Sequence, residues 1–253
     1  MEAEIREIFG HLGKLIEAHR EMGLEPPPLS DETLNYLGVA ESGINAIRAK
    51  GPYSPGGTPD RGDQPDSLEA LRASIGECRR CKLHGNRTRL VFGEGSPQAE
   101  LVFVGEGPGQ EEDLAGRPFV GEAGRLLTKI IENGMRLARK EVYICNVVKC
   151  RPPGNRDPER DEIEACTPFL EKQLHIIGPR VICSLGRVAA QCLIGPEFKI
   201  TKERGTWHTY KEIPLMPTYH PAYLLRYPSA KRQVWEDIQK VMAHLDLEVK
   251  KNG

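Results

Sequence analysis

The stretch that most constrains this chain is Leu101-Val102-Phe103-Val104-Gly105-Glu106-Gly107-Pro108-Gly109-Gln110-Glu111-Glu112-Asp113. A short apolar run closed by glycine reads as a strand buried on both faces, the kind that fills parallel sheets. The turn after such a strand lies at the carboxyl edge, where open α/β sheets place their ligands. This turn is expected to form one wall of a pocket, with later strand ends supplying the others. Its glycines let backbone approach a flat, neutral ligand closely. They are not a dinucleotide fingerprint: the spacing is wrong, Pro108 interrupts it, and Glu106, Glu111, Glu112 and Asp113 repel a pyrophosphate. The stretch contains no Gly-Lys-Ser/Thr, which excludes a Walker loop.

Elements before and after this strand set the class. Residues 1–22 read as an amphipathic helix, with Ile5, Ile8, Phe9, Leu12, Leu15 and Ile16 on one stripe. Residues 23–66 are rich in Pro, Gly and polar residues and read as linker. The body is expected from Ser67, an N-cap for a helix over 68–75. Strands are predicted over 101–104, 141–148, 180–185 and 213–218. Helices are predicted over 121–133, 159–177, 188–193 and 230–245. Strands alternating with helices make an α/β domain whose parallel sheet is covered on both faces.

Seven cysteines in a chain with no secretory pattern at Met1-Glu2-Ala3-Glu4 point to a reducing, cytoplasmic setting, where thiols bind metal or pack in cores. Cys78 and Cys81 form a C-x-x-C pair, and Cys150 and Cys166 lie on either side of a proline-rich loop. A four-thiolate site is expected; spacing alone does not separate zinc from iron–sulfur. Cys145, Cys183 and Cys192 sit among apolar neighbours and read as core.

His220-Pro221, Asn146 and the Gly105 turn all follow sheet strands, so they converge on one edge. Asn donates and accepts together, which suits the amide edge of a nucleobase. Phe119, near Gly116 and Gly121, can stack on a ring. The net charge is −1, so any nucleic-acid site must be a local patch. Lys149, Arg151, Arg156, Lys199, Lys202, Arg204, Arg226, Lys231 and Arg232 gather near the same strand ends and suggest phosphate contacts.

Four segments carry a resemblance: Gly105-Glu106-Gly107-Pro108-Gly109 with Glu111-Glu112-Asp113; Arg117-Pro118-Phe119-Val120-Gly121; Asn146 through Arg156; and Tyr219-His220-Pro221-Ala222-Tyr223-Leu224-Leu225-Arg226. Over residues 67–245 the chain resembles the family 4 uracil-DNA glycosylases, the iron–sulfur branch of their superfamily. The resemblance implies a three-layer α/β/α sandwich on a four-stranded parallel sheet. It implies a [4Fe-4S] cluster on Cys78, Cys81, Cys150 and Cys166, and uracil-containing DNA as partner. It implies that Phe119 stacks on a flipped uracil, Asn146 reads its edge, and Gly105, Glu106 and Gly107 frame it. Glu112 would stand against a thymine methyl, His220 would bond O2, and Leu224, Leu225 and Arg226 would fill the gap in the duplex. Better-known branches carry an Asp where this chain has Gly107, which leaves Glu106 as the nearest carboxylate for water. A related subgroup that stays covalently attached to its site carries a His-containing basic loop after the second strand. Here that loop has no His, so turnover is expected. Residues 1–66 fall outside the resemblance and are a possible docking segment for a repair or replication partner; the body is expected to be a monomer.

Overall fold

The computed structural model describes residues 66–247. The N-terminal helix and nearly all the linker expected over 1–66 lie outside the described residues. Ser67 accepts the Ala70 N–H at 3.1 Å and caps α1 (Leu68–Ile75), as expected.

One sheet organises the body. Its strands are β1 (Glu94–Gly95), β2 (Leu101–Gly105), β3 (Tyr143–Asn146), β4 (Val181–Leu185), β5 (His208–Tyr210) and β6 (Ile213–Thr218). Their order is β1-β3-β2-β4-β6-β5. The four central strands are parallel, and β1 and β5 add antiparallel edges. The sheet is thus six-stranded, not four-stranded as expected. The edges escape notice because two or three residues cannot display a period of two.

Alternate residues of the central strands feed two apolar cores. Val102, Val104, Cys145, Ile182 and Leu215 pack on one side with α1, α4 (Arg160–Ile177) and α5 (Arg187–Ile194). Leu101, Phe103, Ile144, Cys183 and Met216 pack on the other with α3 (Glu122–Lys129), α7 (Pro221–Arg226) and α8 (Lys231–His244). Short helices α2 (Gln110–Ala115) and α6 (Ile200–Glu203) complete the set of eight α-helices among the described residues. Phe103 is fully buried, and its truncation to Ala would cost about 3–5 kcal/mol. Cys145 and Cys183 lie in the core as expected. The helix expected over 121–133 ends earlier, and a π turn (Ile130–Met135) follows it.

Pairing sets the site. Gly105 stands opposite Asn146, and Leu185 opposite Thr218, so the carboxyl ends of all four central strands finish on one edge.

Candidate active site

A cavity of about 540 Å³ opens at that edge, and Glu106, Gly107, Glu112, Phe119, Asn146 and His220 all line it. Gly105 lies behind them. A Cβ there would come within 2.6 Å of Phe119 Cζ and closer still to Asn146 Oδ1. The bare glycine is what lets those two side chains converge.

Asn146 is 2% exposed, and its Oδ1 has no hydrogen-bond partner among the described residues. An unpaired buried acceptor costs about 1–3 kcal/mol, which a ligand N–H placed against it would recover. Phe119 is buried at φ 51°, a left-handed conformation that costs an aromatic residue on the order of 1–3 kcal/mol. The loop around it is clamped. Glu112 Oε1 accepts the Val120 and Gly121 N–H groups at 3.0 and 2.8 Å, and its Oε2 accepts Gly109 N–H at 3.1 Å. Gly124 has no space for a Cβ against the Phe119 carbonyl, so α3 seats directly on that backbone. Glu112 lines the cavity, as expected, but its carboxylate also fixes the wall that carries Phe119. Sequence reasoning missed this second duty. The signal was a Glu three residues after Gly109 at a helix start.

His220 caps α7. Its Nδ1 accepts the Ala222 N–H at 3.1 Å, so the proton of the neutral ring sits on Nε2. Burial pushes its pKa down to about 4; the Glu112 charge opposes this and Arg226 reinforces it. At neutral pH the ring is an uncharged donor. Its centroid lies 5.5 Å from that of Phe119. Burial raises the pKa of Glu106 to about 7, helped by the Asp157 charge and opposed by Arg187. A Cβ at Gly107 would meet Val148 Cγ2 at 2.8 Å. Position 107 therefore has no room for a carboxylate unless Val148 moves, and Glu106 is the only acidic side chain on that part of the turn.

Other expectations need correction. Leu224 is 1% exposed and packs in the core, because the inner face of α7 needs an apolar anchor. Leu225 and Arg226 are exposed, and Arg226 lines the cavity. Three of the nine basic residues are spent inside the protein. Lys149 is buried, donating to the Asn146 carbonyl at 2.7 Å and to Gln173 Oε1 at 2.5 Å. Arg156 makes a fork with the buried Glu162 carboxylate at 2.8 and 2.6 Å, and Arg204 does so with Asp237 at 3.1 and 2.8 Å. Lys199, Lys202, Arg226 and Lys231 stay exposed.

A second site lies at the far end of the Asn146–Cys150 segment. Cys78, Cys81, Cys150 and Cys166 line one small cavity with Arg87, Lys149 and Phe169. N–H donors point at three of the sulfurs: Arg80 Nη1 to Cys78 at 3.4 Å, Arg87 Nη1 to Cys150 at 3.2 Å, and the Lys149 amide to Cys166 at 3.3 Å. Burial raises the thiol pKa values of Cys81, Cys150 and Cys166, the last to about 11. Among the described residues, no group of three or more His, Cys, Asp or Glu meets the geometry of a bound metal ion.

Residues 92–239 match the family model for the uracil DNA glycosylase superfamily. The type-4 uracil-DNA glycosylase of Sulfurisphaera tokodaii is 49% identical over 184 residues, 70% of this chain and 84% of that one. That of Thermotoga maritima is 48% identical over 188 residues, 72% of this chain and 96% of the relative. That of Saccharolobus solfataricus is 45% identical over 70% of this chain and 85% of its own. The chain belongs to the type-4 uracil-DNA glycosylases.

The superfamily model covers every cavity-lining residue named above, and Cys150 and Cys166 as well. Cys78 and Cys81 precede it. The part of this type-4 uracil-DNA glycosylase that the wider superfamily model spans therefore holds the whole cavity lining and half of the cysteine site. Ion pairs tie in the other half. Lys82, next to Cys81, bonds Glu159 and Asp161 at the start of α4, and Glu162 there holds Arg156 on the cavity wall.

Proposed function

We propose that this type-4 glycosylase hydrolyses the N-glycosidic bond of uracil in DNA, leaving an abasic site for base excision repair. The observation that carries the reading is the unpaired, buried Asn146 Oδ1 beside a His220 whose tautomer is fixed as an Nε2–H donor. Such a pair offers an acceptor to a base N–H and a donor to a base carbonyl. Uracil's edge fits. Cytosine, with an acceptor at its ring nitrogen, would leave Asn146 Oδ1 unpaired.

Cleavage builds positive charge on the sugar and negative charge on the departing base. A neutral His220 donating to uracil O2 is strongest where that charge develops. Phe119 stacks on the flipped ring, and its preset loop spares the complex the entropy of ordering it. Glu106 orients or deprotonates the water that adds at the sugar carbon; a pKa near 7 suits a general base. Glu112 closes the side of the cavity where a thymine methyl would stand. Leu225 and Arg226 contact the DNA around the vacated position.

The four cysteines suit a [4Fe-4S] cluster: four sulfurs share one cavity and three of them accept N–H donors, as thiolates on such a cluster do. When bound, the cluster supplies crosslinks that tie the Cys78–Cys81 turn to the segment after β3. Residues 1–66 are read as a tether with a docking helix, residues 67–253 as the glycosylase body, and the protein as a cytoplasmic monomer. No helix among the described residues is long and apolar enough to cross a membrane.

The test is direct. Protein purified without oxygen is scanned in the visible range and incubated with U:G, U:A and single-stranded uracil oligonucleotides. A brown protein that creates alkali-labile sites only at uracil is the expected result. A colourless protein that binds uracil DNA without cutting it, or that forms a denaturant-stable adduct, overturns the reading.

A further inference from the structure

Three aromatic rings, before, within and just after α7, form a column that the proposed uracil chemistry leaves unused. Tyr219 precedes α7, Tyr223 lies within it, and Tyr227 caps its C-terminus, donating its N–H to the Tyr223 carbonyl at 2.8 Å. Their centroids are 4.7 Å apart at both steps, with interplanar angles of 31° and 37°. The inner end is anchored. Arg204 sits 5.4 Å over the Tyr219 ring and is itself fixed by Asp237. The middle ring, Tyr223, lines the base cavity. The outer ring, Tyr227, is 53% exposed; among the described residues' large apolar and aromatic side chains, only Leu114 is more so.

Position also matters. Ala222, Tyr223 and Arg226 all line the cavity, so that side of α7 faces the DNA in the proposed function. Tyr227 follows Tyr223 by about one turn and emerges on nearly the same side. Exposed Arg226 and Lys231 flank it with positive charge. A solvent-exposed aromatic between cations, continuous with a base pocket, has the makeup of a stacking platform for single-stranded nucleic acid.

We infer that Tyr227 is a docking ring for an unpaired nucleobase adjacent to the flipped uracil on the same strand, extending the Tyr219–Tyr223–Tyr227 column by one member. The inference rests on the proposed uracil-excising function and adds to it a second base contact. It predicts tighter binding where that neighbour is free of its own partner, in single strands and open duplex. Because the rings beneath Tyr227 are already stacked and anchored, the platform is rigid before DNA arrives.

The experiment compares the wild type with Tyr227→Ala and Tyr227→Phe on single-stranded uracil oligonucleotides. Each oligonucleotide carries 2-aminopurine immediately 5′ of the uracil, immediately 3′, or four positions away. Loss of one base–aromatic stack should raise the Kd of Tyr227→Ala by about 5- to 150-fold. Tyr227→Phe should stay within about two-fold, since the ring and not the hydroxyl does the work. Single-turnover cleavage at saturating DNA should change little in either variant. In the wild type, 2-aminopurine fluorescence should be quenched at one neighbouring position and not at the distant one, and Tyr227→Ala should abolish that quenching. An unchanged Kd for Tyr227→Ala, or an equal loss in both variants, overturns the inference. Retention of the native melting temperature by Tyr227→Ala separates a lost contact from a damaged fold. Failure of the wild type to release uracil would instead sink the proposed function, a distinct outcome.

Discussion

The base cavity and the cysteine site stand at opposite ends of one five-residue segment, Asn146–Cys150, and they are prepared in different ways. In the cavity the polar groups are set before any ligand arrives. Glu112 clamps the Phe119 loop, Ala222 fixes the His220 tautomer, and Gly105 makes room for Asn146. In the cysteine site the position is set but the charge is not. Burial drives the thiols toward their neutral form, so they become ligands only when something draws the protons off. Under the proposed function, one site is preorganised for a neutral ring, and the other is preshaped for a cluster whose binding would complete it. The difference teaches that pocket geometry and cofactor loading are separable experimentally, even though one segment serves both.

The largest expected effect tests the cavity. Replacing His220 by Ala removes the donor that the proposed function sets against the leaving base, and should lower the single-turnover excision rate by about 10²- to 10³-fold, with a smaller change in DNA affinity. Rapid-quench kinetics at saturating enzyme would show it; a loss confined to affinity would mean His220 only binds. Next comes the cysteine site. Cys150→Ser should abolish visible absorbance and lower the melting temperature, because the proposed cluster would lose one of its four attachment points. A Cys150→Ser protein that keeps both colour and melting temperature would remove Cys150 from the ligand set.

The shared segment gives a third, intermediate effect. Lys149→Met leaves the buried Asn146 carbonyl and Gln173 Oε1 without their donor, a cost of about 1–3 kcal/mol. Both sites should respond: kcat/KM for uracil should fall about ten-fold, and a chelator should bleach the protein faster. An effect on only one side would show that the segment does not couple them. The smallest effect is a pH limb. If Glu106 must be ionised to handle water, excision falls as pH drops through about 7 and recovers above it. Glu106→Gln should flatten that limb while His220, with its pKa near 4, stays neutral throughout the range. Persistence of the limb in the Gln variant would take Glu106 out of that role.

Much of this was legible in the residues. Apolar runs marked β2, β4 and β6 to within a residue, because strands buried on both faces are nearly all apolar. The cavity followed from strand ends converging, and the cysteine site from a C-x-x-C pair plus two thiols flanking a loop. What the residues hid were matters of partnership. Lys149, Arg156 and Arg204 read as a phosphate patch, yet each is consumed by an internal acceptor that lies 6 to 33 positions away in the chain. The family resemblance implied a DNA-filling role for Leu224, and nothing in its neighbours says which way α7 turns; the packing decides it. The two edge strands were too short to show a pattern. A charge or an apolar side chain announces itself in a sequence, but its partner does not.

The strained Phe119 backbone has a consequence for search. Uracil is rare in DNA, so a scanning glycosylase tests and discards many ordinary bases for every one it cuts. Because the fold itself holds that loop in its left-handed turn, no part of the wall has to be rebuilt at each encounter. Under the proposed function, a wrong base meets a finished surface, finds no acceptor or donor in register, and leaves without the protein having relaxed around it. The clamp thus favours fast rejection as much as tight recognition, and loosening it should show up first as time lost on undamaged DNA.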